Sequence, residues 1–203
     1  MNKAAATIRH NLQTAIDLRQ QLLDDEEFIN KVTAITQAIV TCYRNGGKVF
    51  FCGNGGSAAD AQHLAAELSG RYYYDRPPLF AEALHVNTSY ITAVANDYSF
   101  EEIYSRWVTA IGQKGDVLFA LSTSGNSANI VRAVKKANEN GMVTVGLTGA
   151  SGGEMGRLCD HHLAIPSTDT PRIQECHMLF GHGICEVVER SLFPRPPAVS
   201  GGS

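Results

Sequence analysis

No two cysteines in this chain stand in C-x-x-C spacing, and no apolar run is long enough to span a bilayer. Its five cysteines, Cys42, Cys52, Cys159, Cys176 and Cys185, are scattered. That pattern fits buried thiols in a reducing cytoplasm better than a disulfide frame or a thiolate zinc site. Charge is also sparse: 18% of residues are charged, the net charge is −3, and no basic run occurs. An electrostatic footprint for nucleic acid is therefore missing. The start, MNKAAATIRHNLQTAIDLRQQLLDDEEF, has no apolar h-region and does not read as a signal peptide. The expectation is a cytoplasmic protein with no direct nucleic-acid binding and no membrane association. A small anionic ligand would have to be held locally, by backbone amides and hydroxyls.

What is present is a core. The 203 residues are 44% hydrophobic, enough for one domain, expected over residues 1–195. The Pro/Gly/Ser-rich end predicts a disordered tail over 196–203. Apolar residues at helical spacing run through Ile8, Leu12, Ala15, Leu18 and Leu22, then Phe28, Val32, Ile35 and Ile39, until Asn45-Gly46-Gly47 stops the second helix. These N-terminal helices, within 1–45, are available for packing between subunits. From there short apolar strands (48–53, 79–85, 116–123, 143–149, 161–166) alternate with helical segments: 57–70, 89–110 with a break near Asn96-Asp97, 127–140, 153–158, and 171–193 opened by Pro171. Such alternation predicts an α/β fold: a mostly parallel five-stranded sheet with helices on both faces and two extra helices in front. Ligands bind such sheets beyond the carboxyl ends of the strands.

Two loops fall at those ends. In GNGGSA, residues 53–58, Gly53, Gly55 and Ala58 have the G-x-G-x-x-A spacing of dinucleotide folds. The following strand should then end in an acidic residue for the ribose, but it ends at Leu84-His85. A P-loop is excluded, because no Lys-Ser/Thr follows the glycines. A tight turn that binds nothing is the plainer alternative. The second loop, STSGNSAN (122–129), also joins a strand to a helix. Ser122, Thr123, Ser124 and Ser127 can donate hydroxyl hydrogen bonds, and the following helix adds amides and its positive dipole end. Capping and turn formation account for one or two of these polar residues, not for six in eight. A phosphate monoester suits this neutral cradle.

His63 and Glu67, four residues apart, share one helical face just beyond the first loop; an exposed ion pair is the plain alternative. The last helix carries Gln174, Glu175, His177 and His182 among core residues, with Gly181 and Gly183 flanking His182. Small residues there suggest close packing. His63, Glu67, Gln174 and His182 together offer two imidazoles and two oxygens, a set that could hold zinc or another borderline divalent metal. Gln174 and His182 are separated by about 12 Å of helix, so both would have to lean to share one ion.

CGNGGSAADAQHLAAEL, TAVANDYSFEEIYSR, GDVLFALSTSGNSANI and RIQECHMLFGHGICEVVE resemble, in order and over nearly the whole chain, the sugar isomerase (SIS) domain of bacterial sedoheptulose-7-phosphate isomerases, also called phosphoheptose isomerases. The resemblance implies a flavodoxin-like three-layer sandwich. It also implies a homotetramer with active sites at subunit boundaries, and one zinc per subunit. The implied reaction is conversion of D-sedoheptulose 7-phosphate to D-glycero-D-manno-heptose 7-phosphate, the first step of heptose synthesis for lipopolysaccharide core. Glu67 becomes the catalytic carboxylate and His182 its acid/base partner. His63, Glu67, Gln174 and His182 become metal ligands. Asn54, Gly55, Gly56, Ser57, Glu67, Arg71, Asn96, Asp97, Ser122, Thr123, Ser124, Ser127 and Gln174 line the substrate site. Some members carry an acidic residue where this chain has Pro171, and Asp169 is the residue that would stand in for it. A sister group, which the ending SLFP resembles, binds the replication initiator without catalysis and lacks the carboxylate and the last-helix histidine. This chain has Glu67 and His182, the pair that acid–base chemistry needs and a scaffold does not.

Overall fold

Val49-Phe50-Phe51-Cys52 is fully buried on both faces, which is what an uninterrupted apolar run at the centre of a parallel sheet predicts. The computed structural model, which describes residues 2–195, makes this run β1 (Val49–Cys52) of a five-stranded sheet. The other strands are β2 (Ala81–Ala83), β3 (Val117–Leu121), β4 (Val143–Thr148) and β5 (His161–Ala164). Their spatial order is β2-β1-β3-β4-β5, and every pairing is parallel. β1 is in register with β3 from Val49 opposite Val117 to Cys52 opposite Ala120. Side chains alternate between two cores. Val49 and Phe51 join Phe119, Val145 and Leu163 under one helical layer, and Phe50 and Cys52 join Leu118 and Ala120 under the other.

The helices are α1 (Lys3–Leu23), α2 (Glu26–Arg44), α3 (Gly56–Ser69), α4 (Thr88–Asp97), α5 (Ile103–Ile111), α6 (Ala128–Glu139), α7 (Met155–Leu158) and α8 (Thr170–Leu192), with a 3-10 turn at Phe100–Glu102. Helices α2, α3 and α8 cover the first core, and α4 to α7 the second. Asp25 caps α2 through the Phe28 amide at 2.9 Å, Gly46 takes φ +76° just past its end, and Pro171 sits in the first turn of α8. The break expected near Asn96-Asp97 is the end of α4.

Sequence and structure differ in detail. The strand expected over 79–85 pairs only at Ala81–Ala83, because it is a sheet edge with a single neighbour. The apolar spacing of α1 splits: Ala15, Leu18 and Leu22 are buried, while Ile8 and Leu12 are 59% and 60% exposed. Only the C-terminal half of α1 rests on this chain's core. The expected tail over 196–203 lies outside the described residues.

Candidate active site

The first loop is shaped by its glycines. Gly55 caps α3 with φ +56° and ψ −120°, a conformation that side chains with a Cβ rarely adopt. A Cβ on Gly53 would meet the Ser57 carbonyl oxygen at 2.3 Å, and one on Gly56 would meet the Gln174 amide at 2.5 Å. Glycine here is thus a packing requirement. Tyr104, buried on α5, donates its hydroxyl hydrogen to the Gly53 carbonyl and so props the loop from behind. His85, two residues past β2, packs edge-on against the Tyr104 ring. Burial pulls the His85 imidazole below its ordinary value, against a hydrogen bond to the Ala58 backbone.

Hydroxyls converge in the second loop. Ser122 Oγ lies 3.1 Å from Ser127 Oγ and 3.4 Å from Ser124 Oγ. Ser127 occupies the N-cap of α6, yet its side chain makes no capping bond. It is turned towards Ser122, so capping does not account for it. Three hydroxyls therefore cluster at the positive end of α6. Thr123 and Ser124 also line a cavity of about 220 Å³ with Ser151, Ser167, Thr168 and Ile173. The two loops are locked together: Asn54 and Asn129 exchange amide hydrogen bonds of 2.8 and 2.9 Å.

Helices α3 and α8 run side by side in the same direction. Gly56 faces Gln174, Leu64 faces Gly181, and His63 faces His182. The closeness expected around His182 is half right. A Cβ on Gly181 would meet Leu64 at 2.7 Å, whereas Gly183 faces open space. His63 Nε2 lies 3.0 Å from His182 Nε2 and 3.1 Å from Glu67 Oε1. His63, Glu67 and His182 form the one cluster of three His, Cys, Asp or Glu donors among the described residues, with ligand atoms within 4.8 Å of one another. Donor atoms of a tetrahedral zinc site stand about 3.3 Å apart, given bonds of about 2.0–2.1 Å. The set thus fits a borderline divalent metal in type and in spacing.

Gln174 packs at the start of α3. Its amide rests on Gly56, where α3 begins, seven residues and about 10 Å of helix before His63. Within one chain the expected set is thus three candidate donors on one stretch of α3 and α8, with the Gln174 amide beside Gly56. The reason is the parallel packing of α3 and α8, which puts residues eight apart on α8 beside different turns of α3. The remaining expected substrate residues lie at the surface. Asn96 and Asp97 are exposed at the end of α4 and bond to each other at 2.8 Å. Arg71 is exposed, and so is Asp169, the N-cap of α8, which makes no side-chain capping bond.

Sequence reading missed the polar group that ties α3 to α8. Arg76 is buried against Glu189, Nε to Oε1 3.0 Å. Its two Nη atoms donate to the carbonyls of Glu67, Leu68, Gly70 and Pro77. Glu189 also accepts from the amides of Tyr72 and Tyr73, each at 2.8 Å. Burial pushes the Glu189 carboxyl up, but the two amides and Arg76 outweigh it, and the net shift is downward. The only available signal was a lone arginine before Pro77-Pro78.

The model for the SIS domain matches residues 11–149 of this chain. A phosphoheptose isomerase of Rhodospirillum rubrum is 54% identical over 185 residues, covering 91% of this chain and 97% of the relative. The chain belongs to the phosphoheptose isomerase family. A phosphoheptose isomerase of Clostridium acetobutylicum is 47% identical over 186 residues, 92% of this chain and 95% of its own length. The solved phosphoheptose isomerase of Neisseria gonorrhoeae superposes with a TM-score of 0.86 at 39% identity, covering 92% of this chain and 98% of that one. The fold and the family expected from the sequence are both borne out. Among the described residues of this phosphoheptose isomerase family member, no helix is long and apolar enough to cross a membrane.

Proposed function

We propose that this chain is an aldose–ketose isomerase that converts D-sedoheptulose 7-phosphate to D-glycero-D-manno-heptose 7-phosphate by enediol proton transfer, the first step of heptose synthesis for lipopolysaccharide core, in the cytoplasm. One observation carries the reading. A carboxylate and an imidazole from helices far apart in sequence meet about 10 Å along α3 from the glycine loop, which Asn54 ties to the hydroxyl cluster at the start of α6. That separation suits an open-chain sugar phosphate: phosphate at the loops, carbonyl end at the triad.

In this reading Ser122, Thr123, Ser124 and Ser127, with Asn54, Gly55, Gly56 and Ser57, hold the phosphate end. Their binding energy orients a long, flexible chain. Glu67 takes a carbon-bound proton at C1 or C2 and returns it to the neighbouring carbon. His182 moves the proton between the two oxygens. Oε1 of Glu67 is the oxygen turned to His63, and the other oxygen is assigned to the carbon-bound proton. His63, Glu67 and His182 would hold one zinc ion per subunit. When bound, it would supply Lewis-acid polarisation of the sugar's oxygens. Gln174, beside the loop, is assigned to the substrate and to the fourth ligand position of the metal.

Arg71, Asn96, Asp97 and Asp169, all exposed, are assigned to substrate contacts completed in a homotetramer. The stripe Ile8, Leu12 and Ile16 on α1, each more than half exposed, supports that packing. The test is to incubate the protein with sedoheptulose 7-phosphate in D2O. The reading expects an aldose heptose phosphate carrying solvent deuterium at C2. No aldose product would overturn it, and the deuterium content at C2 reports how far the proton held by Glu67 exchanges with solvent before it is returned.

A further inference from the structure

Glu189 lies seven residues beyond His182 on α8, which returns it to nearly the same helical face two turns on. Arg76 lies nine residues beyond Glu67, after α3 has ended. Their side chains are 2% and 0% exposed, whereas every other ion pair among the described residues has a side chain at least 38% exposed. Exposed pairs contribute little to structure. A buried pair adds little net stability over a hydrophobic replacement, yet breaking it leaves an uncompensated charge, so its geometry is enforced.

The geometry joins the two halves of the triad. Arg76 Nη2 donates to the carbonyl of Glu67 itself at 3.0 Å, and Nη1 to those of Leu68 and Gly70 at 2.8 and 3.1 Å. The guanidinium therefore terminates α3 at the very turn that carries the carboxylate. Its remaining nitrogen, Nε, reaches Glu189 on the helix that carries His182. A slide of α8 by one residue moves it about 1.5 Å and turns it about 100°, which would strip Glu189 of the Arg76 contact and of both tyrosine amides. One further contact fixes the same register: Gly181 lies against Leu64, with no room for a Cβ.

We propose that the buried Arg76–Glu189 pair is a positioning device that sets the axial register of α8 on α3, and with it the distance between Glu67 and His182. The inference rests on the reading of Glu67 and His182 as the proton-transfer pair. Neither Arg76 nor Glu189 touches substrate; each acts through the helix that it holds.

Arg76→Ala would strand a buried carboxylate and can fail to fold, so the test uses two gentler variants. The double variant Arg76→Gln/Glu189→Gln is neutral and keeps hydrogen-bonding groups. Arg76→Lys keeps the charge but cannot span both the carbonyls and Glu189. Steady-state kinetics on sedoheptulose 7-phosphate are measured well below each protein's unfolding midpoint, beside a wild-type control. The expected result is cooperative unfolding, KM within about threefold of wild type, and kcat reduced roughly 10–100-fold, since a displacement of about 1 Å at reacting groups is enough for that. A folded double variant with unchanged kcat would overturn the proposal. So would a loss confined to KM, which would locate the damage at the phosphate loops, or failure of both variants to fold, which would make the pair a folding requirement. Absence of turnover in the unaltered chain would overturn both readings and identify the proposed function as the point of failure.

Discussion

His63 Nε2 and His182 Nε2 lie 3.0 Å apart although 119 residues separate them in the chain. Two imidazoles meeting through the same ring atom must share a proton, with one donating and one accepting, or share an electrophile. Glu67 Oε1, 3.1 Å from His63 Nε2, turns the contact into a three-donor cluster. A metal ion would satisfy all three donors at once. Exhaustive chelation should therefore abolish isomerase activity, and added zinc should restore it. His63→Ala should lose zinc by elemental analysis while keeping its secondary structure. Full activity in a chelated sample free of metal would refute the zinc assignment.

The serine loop predicts a separable effect. Ser124→Ala removes one hydroxyl from the cluster at the start of α6. A hydrogen bond to a charged group contributes about 1.5–3 kcal/mol, so affinity for the sugar phosphate should fall roughly 10–100-fold. Titration calorimetry on the substrate or inorganic phosphate reads this directly. A loss seen wholly in kcat, with affinity intact, would remove Ser124 from the phosphate site.

Gly55 carries a backbone prediction. With φ +56° and ψ −120°, Gly55→Ala should destabilise the protein by more than about 1 kcal/mol. That corresponds to a fall in Tm of about 2–4 °C per kcal/mol for a chain of this size. Phosphate affinity should fall in parallel, because the same residue caps α3. An unchanged Tm would mean that the loop relaxes freely.

The wholly buried His177 makes stability depend on pH. Burial lowers its imidazole to about 4, against a hydrogen bond to the Thr148 carbonyl at 3.2 Å. That bond uses Nε2, and Nδ1 has no partner, so the neutral form with the proton on Nε2 is the one that fits. The unfolded chain binds a proton near 6.5 and the folded chain does not until about 4. The stability this group contributes is therefore full above pH 6.5 and drains away as pH falls towards 4, by roughly 3 kcal/mol in all. Denaturant midpoints from pH 7.5 to 4.5 should fall, and His177→Gln should flatten the slope. An identical slope in that variant would assign the acid sensitivity elsewhere.

Much of this was legible in the sequence for physical reasons. Apolar runs such as Val49–Cys52 have one solution in an α/β chain, a buried parallel strand, and glycines followed by alanines mark a loop that opens into a helix. His63 and Glu67 were placed by helical periodicity alone. Relations across the fold were harder to read. Spacing within α8 set Gln174 about 12 Å from His182, but not which turn of α3 it faces; the fold puts it beside Gly56. Asn129 read as one of the polar residues of the second loop, and only the folded chain pairs it with Asn54. Glu189 read as part of an apolar helix, because a buried charge announces itself only through its partner, Arg76. Ile8 and Leu12 kept the core period, yet among the described residues nothing covers them.

The central claim is that Glu67 transfers the carbon-bound proton of a sugar pinned at its far end by the loops. Glu67→Gln preserves size and removes the base. The decisive measurement is its turnover of sedoheptulose 7-phosphate beside its affinity for the same sugar. The account predicts affinity close to wild type and kcat lower by about 10²–10⁴-fold. Near-normal turnover by the folded variant would contradict it.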